Sequence, residues 1–180
     1  MERSSYLLAA ETGNRTLLLI FTDDSRSQWG LVLEQQVRRR IPDTRVMYID
    51  SRDAAGSKQP VMEGVEQAGK VIAAVYVVPS PGTLAAVQDA AAALLHEVLR
   101  TAAGKTIVAA MGTPYIAAQF PEVQTYLCTY SSAPVAEVSA VKAMFGEIPA
   151  AGHLPVTVPK IAGLGAGLGG SAPASRGGQR

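Results

Sequence analysis

The sequence predicts a three-layer αβα sandwich built on a doubly wound, mostly parallel β-sheet of five to six strands. Three observations predict it: continuous apolar runs without period-two alternation, amphipathic segments at helical spacing between them, and a regular exchange of the two along the chain. A strand that is apolar on both faces must be covered on both. Alternating such strands with helices requires parallel neighbours joined by right-handed crossovers, in the flavodoxin-like topology, and the units are too few to close a barrel.

The first run, Thr16-Leu17-Leu18-Leu19-Ile20-Phe21-Thr22, is a central strand ended by the polar turn 23–27. Over 29–41, Trp29, Val32, Leu33, Val37 and Ile41 recur at helical spacing with Glu34, Arg38 and Arg39 between them, so a surface helix follows and Pro42 ends it. Residues 45–49 read as strand, 61–68 as a short helix, and 71–78 as the most apolar strand. A long helix is expected over 84–103, where Leu84, Val87, Ala91, Leu94, Leu95, Val98 and Leu99 form one stripe and Gly104 is the stop.

Strand returns at 106–111, a short helix fits 114–119 before Pro121, and 125–129 is the next strand. Ser131, Ser132 and Pro134 open a helix that reaches Phe145. Prolines flank and interrupt 154–158, which places it as a C-terminal edge strand. One domain is expected over 1–168. Residues 169–180 are Gly, Ser, Ala and Arg with little to bury, the composition of a disordered tail.

Composition narrows the function. The chain has 180 residues, 48% hydrophobic and 17% charged, with a formal charge of +1. That leaves no reservoir of cations for a phosphate backbone, so nucleic acid is not an expected partner. No apolar run approaches the length of a membrane span and no export signal is legible at the start, so a soluble chain is expected, with its compartment open. Cys128 is the only cysteine, which excludes an internal disulfide and a cysteine-based metal cluster. No cofactor or metal is expected.

In an open parallel sheet, ligands meet the loops that leave the carboxyl ends of the strands. Those loops hold the candidate cleft or interdomain residues: Asp23, Asp24 and Arg26 after the first strand, Ser80 after the third, Thr113 and Tyr115 after the fourth, and Ser131 and Ser132 after the fifth. Asp23 and Asp24 resemble the acid pair of response-regulator receivers. The further Asp and Lys that such a site needs are missing, and turn or helix-cap roles account for Asp23, Asp24 and Ser25.

Gly165-Ala166-Gly167-Leu168-Gly169-Gly170 matches a dinucleotide fingerprint in letters only, because no helix follows it. His96 and His153 read as solvated, and Cys128 as a buried apolar thiol. No catalytic residue is assigned.

From residue 106 onward the sequence becomes specific. Gly112-Thr113-Pro114-Tyr115, Phe120-Pro121-Glu122-Val123 and Thr125-Tyr126-Leu127-Cys128-Thr129-Tyr130-Ser131 are followed by Ala140-Val141-Lys142-Ala143-Met144-Phe145-Gly146-Glu147-Ile148-Pro149. Gly152-His153-Leu154-Pro155-Val156-Thr157-Val158-Pro159 and Leu164-Gly165-Ala166-Gly167-Leu168 complete the series. In this order they resemble the C-terminal α/β domain of bacterial family 3 glycoside hydrolases of the β-N-acetylhexosaminidase branch, over about residues 1–168. The family commonly has Asn where Thr113 stands and often His where Ala166 stands, which puts polar contacts from those two positions in question.

The resemblance implies a catalytic (β/α)8 barrel as partner, in cis or in trans, which supplies the Asp that attacks the sugar. In the β-glucosidase branch this domain adds the acid/base Glu from a loop after a strand such as 71–78. Here that loop is Pro79-Ser80-Pro81-Gly82-Thr83, without a carboxylate. In the N-acetylglucosaminidase branch the acid/base is a His on the barrel.

The resemblance therefore implies an accessory domain that packs on the barrel, shapes the cleft and contacts distal sugar units, with no turnover of its own. Without a barrel, its uncovered face favours a homodimer. The competing reading is a stand-alone α/β module that binds a small ligand at the strand ends.

Overall fold

The computed structural model describes residues 15–23, 28–77 and 86–167. Among them the elements run β1 (Thr16–Thr22), α1 (Leu31–Arg40), β2 (Arg45–Asp50), α2 (Lys58–Gln67), β3 (Lys70–Tyr76), α3 (Asp89–Ala102), β4 (Thr106–Met111), β5 (Thr125–Cys128) and α4 (Pro134–Met144). The strands form one five-stranded sheet in the order β2-β1-β3-β4-β5, and every pair is parallel. This is the expected α/β sandwich.

The continuous apolar run of β1 is explained by its two faces. Leu17, Leu19 and Phe21 pack with Val71, Ala73 and Val75 of β3 under α2 and α3, where Val61, Val65, Leu95 and Leu99 complete the core. Leu18 and Ile20 face the other way with Ile72 and Ala74, under Leu33 and Val37 of α1 and Val141 and Met144 of α4. Successive side chains of a strand point to opposite faces, so a strand with a helix layer on each side must be apolar at every position. All seven residues of β1 are buried.

Local chemistry sets the element ends. Lys105 extends its ammonium to the carbonyls of Val65 (2.7 Å) and Ala68 (2.6 Å) at the C-terminus of α2, where carbonyls lack helical partners and cations are favoured. α3 begins at Asp89 rather than near residue 84 because the Gln119 side chain holds Val87 outside the helix. Its carbonyl accepts from the Val87 amide at 2.9 Å and its amide donates to the Val87 carbonyl at 3.0 Å.

The expected edge strand at 154–158 does not join the sheet. The Leu154 amide donates to the Ala166 carbonyl and the Gly165 amide to the Leu154 carbonyl, each at 2.8 Å, and Val158 makes an isolated bridge with Ala162. Pro155 and Pro159 have no N–H to add to a ladder, so this segment folds back on the residues that follow it. The expected tail at 169–180 lies outside the described residues, as do Leu84 and the loop at 79–83. Among the described residues no helix is long and apolar enough to cross a membrane.

Candidate functional site

With the order β2-β1-β3-β4-β5, the chain leaves β1 toward one edge and later crosses to the other, so the carboxyl ends of β1 and β3 flank the point where ligands enter such sheets. Thr22 and Tyr76 are register partners there. The Tyr76 side chain is almost fully buried and stacks on the Trp29 indole, with ring centres 6.0 Å apart and planes 7° from parallel.

Between these rings and α1 lies one buried carboxylate, that of Glu137 on α4, which is 2% exposed. Its Oε1 accepts from the Gly30 amide at 2.9 Å and from the Tyr76 hydroxyl at 2.8 Å. Its Oε2 accepts from the Leu33 amide at 2.7 Å. Gly30 is the residue that caps α1, and it has no side chain to do so. The first amides of a helix lack helical acceptors and carry partial positive charge, and Glu137 supplies the missing acceptor from another helix. Burial, then the adjacent Glu137 charge, pushes the Tyr76 hydroxyl far above the usual phenol range and keeps it a donor.

The cap of α1 is Gly30, with Glu137 as its acceptor, and not Asp23; Asp24 and Ser25 lie outside the described residues. Glu137 was missed, although a signal exists. Ala136, Ala140, Val141 and Met144 form the buried stripe of α4, and Glu137 lies within that stripe. A carboxylate on an apolar face is rarely buried without partners.

Of the sequence-derived candidates, Asp23 is half-buried at the end of β1, while Asp24, Arg26 and Ser80 lie outside the described residues. Thr113 is buried, and its hydroxyl accepts from the Tyr115 amide at 3.4 Å to cap a short 3-10 turn over Pro114–Ala118. The Tyr115 side chain is exposed. The Ser131 hydroxyl accepts from the Ala133 amide at 3.1 Å, and its carbonyl accepts from the Thr129 hydroxyl at 2.6 Å, forming the turn into α4. Ser132 is half-exposed in the same turn. Thr113 and Tyr115 thus share the turn after β4, and Ser131 and Ser132 share the turn after β5.

Asp50, at the end of β2, is also paired: it accepts from the Arg52 guanidinium at 2.9 and 2.7 Å. The His96 side chain is 38% exposed, as a solvated residue would be, but it also has partners. Its Nδ1 lies 3.0 Å from the Glu122 carboxylate and its ring packs tilted against Phe120. Glu122 is held below the usual carboxylate range, first by a backbone hydrogen bond and further by His96. His153 is exposed.

A cleft of about 620 Å³ opens between β5, α4 and the segment after α4, with Tyr126, Cys128, Tyr130, Ser139, His153 and Ile161 in its lining. Cys128 is half-buried there, and burial pushes its thiol up. Among the described residues no group of three or more His, Cys, Asp or Glu side chains could hold a metal ion.

No family model matches the chain, and no curated protein matches it. Solved structures do. A fungal multi-domain β-N-acetylglucosaminidase of glycoside hydrolase family 3, with a GCN5-related glucosamine N-acetyltransferase region, matches 96% of this chain at a TM-score of 0.60 and 22% identity. A family 3 β-N-acetylglucosaminidase from Paenibacillus sp. str. FPU-7 matches 74% of the chain at 0.55 and 17% identity. The β-glucoside phosphorylase BglX matches 81% at 0.53 and 11% identity.

The chain has the fold of one part of a family 3 glycoside hydrolase. It spans 18% of the fungal enzyme and 26% of each of the other two. In all three, the fold shared with this chain is embedded in a much longer polypeptide.

Proposed function

We propose that this chain is an accessory α/β domain of a family 3 glycoside hydrolase of the β-N-acetylhexosaminidase type, lying C-terminal to a catalytic (β/α)8 barrel. It packs on the barrel, shapes one side of the sugar cleft and supplies no catalytic group. The observation that carries this reading is the match of 96% of the chain to only 18% of a family 3 β-N-acetylglucosaminidase. The ordered series from Gly112 to Leu168 supports it independently.

The chemistry agrees. Retaining glycosidases place two carboxyl groups about 5–5.5 Å apart across the scissile bond, one to attack and one to move a proton. Of the described carboxylates near the strand ends, Glu137 is committed to the α1 amides and Tyr76 and Asp50 to Arg52, which leaves the half-buried Asp23 at the end of β1. The turns that hold the exposed Tyr115 and the half-exposed Ser131 and Ser132 are the proposed sites of contact with the barrel or with distal sugars. Asp23, Asp24, Arg26, Ser80 and Thr113 belong to the same proposed cleft or interdomain loops. Self-association of the domain when it stands alone, through the face that the barrel would otherwise cover, is part of the same proposal.

The purified chain, assayed with an aryl N-acetylglucosaminide, is expected to show no turnover, whereas a polypeptide that joins it in frame to its encoded barrel hydrolyses the substrate. Turnover by the 180-residue chain that disappears when one of its own carboxylates is replaced would contradict the proposal. A parent reading frame with no barrel, and no separately encoded barrel that binds the chain, would favour the stand-alone binding module.

A further inference from the structure

In a doubly wound sheet, the amide end of the first helix is where an anionic ligand would be held, because the free N–H groups and the helix dipole both favour negative charge. In this protein that place is already filled. Both oxygens of Glu137 are used, one on the Gly30 amide and one on the Leu33 amide, which are the donors an incoming phosphate or carboxylate would need. Tyr76 adds a third donor, and Trp29 stacks on its ring.

We propose that Glu137 is a built-in anionic ligand of the strand-end crevice: the amide end of α1 takes the chain's own carboxylate in place of an external phosphate- or carboxylate-bearing molecule. Its consequence is that the Gly30 and Leu33 amides do not receive an external anion.

Two further features favour it. Glu137 is 2% exposed, so its carboxylate cannot stay where it is without these donors except at a large cost. Gly30 has φ +84, and a Cβ there would lie 2.8 Å from the Ile20 side chain, so the amide is fixed by a backbone conformation and a close approach that only glycine accommodates. The carboxylate that fills this place is covalently part of the chain.

Thermal melts of the full chain test this at constant ionic strength, in graded sodium acetate or in acetamide, its neutral analogue. Glu137→Ala is expected to melt about 10 °C below the wild type. Acetate should return part of that loss in a saturable manner, acetamide should not, and the wild type should gain nothing specific to acetate. Equal effects of acetate and acetamide, equal gains in variant and wild type, or a folded variant indifferent to acetate would overturn the proposal.

Two measurements decide the matter if Glu137→Ala does not fold in any acetate concentration. Glu137→Gln, which keeps the shape but turns an amide toward a backbone donor, should melt lower than wild type; an unchanged melting temperature overturns the proposal. In the wild type, the Gly30 and Leu33 amide resonances should stay in place as inorganic phosphate is added, and a saturable shift of either overturns it.

Discussion

The Tyr76 hydroxyl at the end of β3 donates to Oε1 of Glu137 on α4 at 2.8 Å, linking the middle of the sheet to a helix 61 positions later in the chain. Both groups are buried, and the same carboxylate holds the first turn of α1. One contact therefore ties together the sheet and the two helices on one of its faces.

Tyr76→Phe removes that donor while leaving the ring stacked on Trp29. A buried hydrogen bond to a charged acceptor contributes about 1.5–3 kcal/mol, so a loss of that order is expected in urea denaturation. A double-mutant cycle with Glu137→Gln should show coupling well above the error of the measurement. Additive losses would mean that the two side chains stabilise the fold separately.

Gly30→Ala places a Cβ 2.8 Å from Cγ2 and 2.9 Å from Cδ1 of Ile20 at a φ of +84. Left-handed backbone costs about 1–2 kcal/mol for a non-glycine residue. Overpacking adds a further penalty of about 1–3 kcal/mol. The variant is expected to lose roughly 2–5 kcal/mol by chemical denaturation. Combining it with Ile20→Ala should cost less than the sum of the two changes, because the clash then disappears and only the backbone strain remains.

Arg40 forms a two-pronged contact with Glu147 across the α1 and α4 ends, and its guanidinium lies 5.5 Å above the Phe145 ring. The Arg40 hydrogen bond holds the Glu147 carboxyl below its ordinary value of 4.5. A carboxyl lowered in the folded state contributes stability above its unfolded value and loses it as pH falls through the folded one. Glu147→Gln should thus be slightly less stable than wild type at pH 7, and the gap should close as pH drops below the ordinary Glu range. A pH-independent gap in thermal melts would show that charge is not the source.

Cys128 titrates in the opposite sense. Its thiol is pushed above the ordinary value of 9.0 mainly by burial, so the fold prefers the neutral form. Such a group contributes fully below the unfolded value and its contribution is lost as pH rises through the folded one. The stability difference between wild type and Cys128→Ala should shift against the wild type above about pH 9, the range in which an unfolded thiol ionises. At pH 8, a thiol reagent should label Cys128 more slowly in the native protein than in urea. Equal labelling rates would mean that the cleft leaves the sulfur open.

Much of the fold was legible because it rests on local periodicity. Leu17 to Phe21 are apolar at successive positions, which only a strand covered on both faces tolerates, and β1 has the bounds that this predicts. The start of α3 was not legible. The spacing of Leu84 and Val87 fits a helix, yet the side chain of Gln119, 32 positions later, takes both the amide and the carbonyl of Val87 ahead of the helix. α2 starts at Lys58, ahead of the expected residue 61, because a proline in the first helical turn loses no helical bond and Pro60 stands there.

The cleft-loop candidates at Thr113, Tyr115, Ser131 and Ser132 lie in the turns after β4 and β5, where strand ends alone would put them. The sequence by itself determined the layers, the apolar faces and the turns after the strands, because side-chain periods of 2 and 3.6 and the backbone limits of Gly and Pro act between near neighbours. Only the tertiary structure decided that Glu137 goes inward to cap α1, 107 positions from Gly30. A carboxylate can be buried only where donors converge in space, and which donors converge is settled by how distant segments pack.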